Sequence, residues 1–108
     1  MNSKRLYQLT FELDKWASKN QDIVKDIEQR YSPRGRFKTW RNSPEGKTWK
    51  KKQYIKQEGV CAICGHCLTL KVAEIDHIKP LSLYPELATT TSNLQLVHAH
   101  CNRTKSDH

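Results

Sequence analysis

Apolar residues recur at Leu6, Leu9, Leu13, Trp16, Ile23, Ile27 and Tyr31, at steps of three, four or seven. Asn20 stands at the missing step, and no Gly or Pro interrupts the run. That period draws one apolar stripe on a polar helix and predicts a single long helix over residues 4–31. The stripe has two uses. It can pack on a domain core, or, being close to a heptad pattern, it can pair with a second copy of the chain, with Asn20 setting the register.

The pattern then breaks. Ser32-Pro33, Gly35, Ser43-Pro44 and Gly46 are turn and breaker signals. Between them Arg34, Arg36, Lys38 and Arg41 alternate with Phe37 and Trp40. Such a segment can lie along a phosphate backbone, while the two aromatics suit core anchoring better than base stacking. Ser43 is placed to cap the next helix with Pro44 at its first position. That helix is expected from about residue 45 to 58, with Trp49, Tyr54 and Ile55 inward and Lys50, Lys51, Lys52 and Lys56 mostly outward. Gly59 fits its stop.

Beyond it the period changes to two. Residues 70–78 alternate and are β-branched, and Pro80 ends them. Residues 81–92 read as a Thr- and Ser-rich loop, residues 94–98 as the return strand, and a short helix is expected from about Ala99. The predicted class is α+β: a hairpin followed by a helix, preceded by a long helix and a basic helical segment.

Composition narrows this. A chain of 108 residues with 36% apolar content buries only a small core, so a structural metal is physically useful. No apolar run is long enough to span a membrane, and the start of the chain lacks the apolar stretch of a signal peptide, so an intracellular setting is expected. The charge of +8 is uneven. Residues 31–60 hold nine Lys/Arg against two Asp/Glu, whereas residues 61–108 hold four of each. A block of this density favours a polyanion, nucleic acid above all, over a merely solvated surface.

All four cysteines lie between residues 61 and 101. Short spacings beside histidines favour metal over disulfides in a reducing compartment. Cys61-x2-Cys64 and His98-x2-Cys101 form two corners that clamp the ends of the hairpin, giving a structural Zn²⁺ four ligands. His100 in place of His98, and a set drawn from Cys64, His66 and Cys67, are the competing arrangements. Between the corners lies the ionisable pair Asp76-His77, which strand alternation places on opposite faces.

Taken in order, the elements CAICG, EIDHIKP, NLQL and HAHCN with a Lys three residues on resemble the HNH, or ββα-metal, endonucleases. The resemblance covers residues 61–105 and is similar to the form found in small phage-type and group II intron-associated domains. It reads as an H-N-N variant through His77, Asn93 and Asn102. The resemblance implies double-stranded DNA as partner, His77 as general base, Asn93 tethering the loop beside it, and Asp76 and Asn102 as oxygen ligands of a catalytic Mg²⁺ or Mn²⁺. Imidazole chemistry near neutral pH and the hardness of oxygen donors agree with those roles. Lys105 is a candidate for substrate phosphate, and Arg103 a weaker one. The implied division is an N-terminal helix over 1–31, a basic DNA-contacting segment over 32–59 and the nuclease core over 60–108. Rival readings are a zinc-stapled DNA-binding module without catalysis and a phage packaging accessory acting beside a terminase.

Overall fold

The computed structural model describes residues 3–106, and side chains from 9 to 105; Leu6 of the expected stripe lies outside the described side chains. The chain divides into two compact units, residues 1–32 and 33–108.

In the first unit the expected single helix is two, α1 (Ser3–Lys19) and α2 (Gln21–Tyr31). Asn20 makes the break. Its side-chain amide donates to the Trp16 carbonyl at 2.8 Å, where its own backbone N–H also bonds, and its φ and ψ of −121° and 43° leave the helix. A short amide side chain competing for backbone groups is the physical reason. The stripe is not a core face of this unit: Leu9, Leu13, Trp16, Ile23, Ile27 and Tyr31 are 43–67% exposed.

The second unit begins with another correction. Residues 33–42, expected as a turn-rich linker, form helix α3 (Pro33–Asn42). Pro33 opens it, where a missing N–H costs nothing, and one internal glycine is a tolerable penalty of about 1 kcal/mol. Helix α4 (Pro44–Lys56) follows as predicted: the Ser43 hydroxyl accepts from the Gly46 N–H at 3.1 Å and donates to the Trp40 carbonyl at 2.5 Å. The α3–α4 corner is tight. A Cβ on the buried Gly46 would lie 2.1 Å from the Trp40 carbonyl oxygen. Trp40 and Trp49 face each other across the corner, ring centres 5.6 Å apart. Trp49 and Tyr54 pack on the core as expected, but Ile55 points outward and is 74% exposed.

Strand β1 (Glu74–His77) pairs antiparallel with β2 (Leu94–Val97), and helix α5 (Ala99–Ser106) follows. β1 is shorter than the expected 70–78. Its partner ends at Val97, opposite Glu74, and residues 69–73 instead form a turn, with the Ala73 N–H on the Thr69 carbonyl at 3.0 Å. The core is small: Leu68, Ala73 and Leu96 with Trp49, Tyr54 and Ile75, and beside it Cys61, Val97 and Cys101. Tyr54 donates its hydroxyl to the Leu68 carbonyl at 2.7 Å, which ties α4 to the hairpin. Among the described residues the class is α+β, with five helices and one two-stranded sheet. None of the described helices is long and apolar enough to cross a membrane.

Candidate active site and metal centre

The two Cys/His corners meet. Donor atoms of Cys61, Cys64, His98 and Cys101 all lie within 4.8 Å of one another. The loop from Cys61 supplies one pair and the start of α5 the other. Gly65, at a φ of 74°, lets the first corner turn back so that its N–H meets the Cys61 carbonyl. The tautomer of His98 follows from its partners. Its Nε2 donates to the Cys67 carbonyl at 2.9 Å, which leaves Nδ1 facing the sulfurs, 3.3 Å from Cys64 Sγ and 3.9 Å from Cys101 Sγ. Soft sulfur and imidazole in fourfold array fit Zn²⁺. His100 stacks on the His98 ring at 5.1 Å and is not in the donor set, nor are His66 and Cys67.

The thiols are unequal. Burial raises Cys61, but backbone N–H groups, those of His98 and Ile63 each 3.4 Å from its sulfur among them, outweigh it and bring the thiol down to about 6. Burial, then the neighbouring sulfurs of Cys64 and Cys61, push Cys101 up to about 11. A thiolate at one corner thus makes the next costlier, which a dication reverses.

A groove of about 910 Å³ runs between the α3–α4 pair and the end of the hairpin. Asp76 and His77 both line it, although they occupy opposite faces of β1, because it wraps the strand end. Asp76 is 6% exposed, and its Oδ2 accepts from Gln95 Nε2 at 2.9 Å and Lys105 Nζ at 2.7 Å. On the other face His77 Nε2 bonds the Ala88 carbonyl at 2.9 Å. A carbonyl only accepts, so Nε2 carries the hydrogen and Nδ1 is the proton acceptor. Phe37 holds the imidazole from α3, ring centres 4.5 Å apart at 66°.

Asn93 is buried and grips the backbone just past His77: its Oδ1 accepts from the Lys79 N–H at 2.9 Å and its Nδ2 donates to the Lys79 carbonyl at 3.2 Å. Asn102 lines the same groove and donates from Nδ2 to Glu74 Oε2 at 3.1 Å. Asp76 Oδ2 and the carbonyls of His77 and Ile78 converge on one cationic group, the Lys105 ammonium, at 2.7, 2.6 and 3.2 Å. These carboxylate and carbonyl oxygens, with the Asn102 amide in the same groove, are of the hard-donor type that a divalent ion such as Mg²⁺ takes. Lys105 is thus held by Asp76 and two carbonyls.

Of the other basic candidates, Arg34, Arg41 and Lys50 line the groove, whereas Lys38, Lys51, Lys52, Lys56 and Arg103 do not. Arg36 reaches the Pro85 carbonyl at 3.5 Å, and Arg41 lies over the Phe37 ring at 5.8 Å. Sequence reasoning missed Lys47, Glu74, Phe37 and Gln95 as parts of this site. Lys47 and Glu74 were legible from periodicity, one lying a helical turn before Lys50 and the other two strand positions before Asp76. Phe37 and Gln95 carried no such signal.

Residues 61–108 match the model of the family HNH endonuclease. No curated protein and no solved structure matches the chain. The matched segment contains both corners, Asp76, His77, Asn93 and Asn102, and the match supports nuclease activity on DNA in general.

Proposed function

We propose that the protein is a metal-dependent DNA endonuclease that hydrolyses phosphodiester bonds and nicks one strand per active site. The observation that carries this reading is the one groove lined by both His77, whose Nε2 is taken up by the Ala88 carbonyl so that Nδ1 is left as acceptor, and Asp76. His77 takes the proton from the attacking water at Nδ1, while the Ala88 carbonyl holds Nε2–H and fixes the ring. Asn93 clamps the Lys79 backbone and so sets the position of the preceding histidine. Asp76 and Asn102 would hold Mg²⁺ or Mn²⁺, which supplies Lewis-acid charge for the phosphate and the leaving oxygen. The Zn²⁺ of the cysteine cluster is structural, because four protein ligands leave no open position. Its thiolates fit a reducing, intracellular setting.

The test is supercoiled plasmid with zinc-loaded protein, Mg²⁺ or Mn²⁺, then chelator. Metal-dependent relaxed circles are expected, and none from a folded His77→Ala variant. DNA binding without cleavage under either metal would instead mark a zinc-stapled binding module. Paired cuts need two sites, and the exposed stripe through Leu13, Trp16, Ile23 and Ile27 suits a second copy of the chain. Sedimentation as a monomer at working concentration would remove that dimer.

A further inference from the structure

The cation already in the Asp76 site belongs to the protein. Lys105 extends from the last turn of α5 back across the strand end, and its ammonium takes three oxygens, Asp76 Oδ2 and the carbonyls of His77 and Ile78, at 2.6–3.2 Å. Asp76 is nearly buried, and a buried carboxylate without a counter-charge is costly. Lys105 and the Gln95 amide between them satisfy it. The lysine side chain is 34% exposed and lines the groove, so it has an open path away from the carboxylate.

We propose that Lys105 is a built-in stand-in for the catalytic cation: it occupies the Asp76 oxygens in the metal-free protein, competes with the divalent ion for them, and is released into the groove when the ion binds. This rests on the reading of Asp76 as a ligand of the catalytic metal. An ammonium and a hard dication are drawn to the same carboxylate and carbonyl oxygens, and two like charges repel strongly at contact distance there. The stand-in keeps the site formed without metal, at the cost of weaker metal binding. Once released, the ammonium stays in the groove that the substrate phosphate is proposed to enter, where its charge serves the polyanion instead.

The test measures Mn²⁺ binding to the zinc-loaded full chain by paramagnetic resonance, without substrate. Wild type is expected to bind one Mn²⁺ that Asp76→Ala abolishes. Lys105→Gln and Lys105→Met are expected to bind it tighter, on the order of tenfold, the scale of one hydrogen bond to a charged group. Lys50→Gln removes the same charge from the groove wall without touching Asp76, and is expected to change affinity much less. Equal or weaker Mn²⁺ binding in both Lys105 variants overturns the proposal, as does an equal gain from Lys50→Gln. A measurement on wild type covers variants that fail to fold. Amine-reactive labelling of Lys105, read by peptide mass, should rise on adding Mg²⁺, and unchanged labelling also overturns it. If wild type binds no Mn²⁺ that depends on Asp76, the catalytic-metal reading falls first and takes this one with it.

Discussion

Phe37 stands edge-on to His77, ring centres 4.5 Å apart. One residue is a buried side chain of α3, the other the candidate base on β1, and only the second lies in the family-matched segment. The α3 helix is therefore part of the candidate site. Phe37→Ala should destabilise the second unit by about 3–5 kcal/mol, the cost of deleting a buried aromatic. Phe37→Leu should fold and keep its zinc, yet nick plasmid roughly tenfold or more slowly, because a loosened imidazole loses attack geometry. Single-turnover rates decide it, and wild-type rates from folded Phe37→Leu would show that Phe37 serves packing alone.

Gln57 behaves as a short third strand beside β2. Its Oε1 accepts from the Leu96 N–H at 2.9 Å, and its Nε2 donates to the Leu96 carbonyl at 3.0 Å and the Val60 carbonyl at 2.9 Å. Leu96 is fully buried, so Gln57→Ala strands its N–H away from water, while its carbonyl keeps the Ala62 N–H at 3.0 Å. The expected loss is about 1–3 kcal/mol in urea unfolding. Gln57→Glu should recover the bond to the Leu96 N–H only. A loss no larger than that of a substitution at an exposed position of α4, such as Lys51→Ala, would count against the bridge.

Zinc binding should depend steeply on pH, and the sign is fixed. Cys101, raised to about 11, is protonated at neutral pH in the metal-free protein, and zinc must displace that proton. Apparent affinity therefore rises with pH, by about tenfold per pH unit for each proton released. Cys61, lowered to about 6, releases its proton to zinc only below that value, so the dependence steepens there. Chelator competition across the neutral range checks the slope, and a flat profile would be incompatible with protonated Cys101. Stripping the metal should unfold much of residues 60–108, seen as lost helix signal and recovered with zinc.

The hairpin, its closing helix and the four-residue cluster were legible because each rests on local pattern: alternation, a capped helix start and paired ligand spacings. What failed was set by competition at single residues or by tertiary packing. Asn20 splits a stripe that periodicity reads as continuous, because its side chain bonds the Trp16 carbonyl. The Pro33 and Gly35 punctuation hid a helix that is held in place by the α3–α4 corner. Alternation did separate Asp76 from His77, and correctly, yet it could not show that one groove wraps both faces. Lys105 could be placed on the side of α5 that carries Asn102, but the folded strand end that it reaches was invisible.

The basic segment separates into two sets that make opposite predictions. Arg41, Lys47 and Lys50 line the groove, as Arg34 does farther along α3, while Lys51, Lys52 and Lys56 stand outside it on α4. Each set carries three positive charges, so long-range attraction to DNA treats them alike. Direct bonding to phosphate does not. Changing Arg41, Lys47 and Lys50 to Gln should weaken binding across unrelated sequences and slow nicking even at saturating DNA. It should also lower the salt slope by roughly one for each phosphate that is no longer neutralised. Changing Lys51, Lys52 and Lys56 to Gln should slow association at low salt and leave the saturated rate near wild type. Arg41 also lies over the Phe37 ring, so its single variants separate packing from charge: Arg41→Lys keeps the charge, and Arg41→Gln removes it. Fluorescence anisotropy over a salt titration, paired with single-turnover nicking, measures both quantities. Equal effects of the two triple variants would mean that the groove wall acts only through the summed field of the segment.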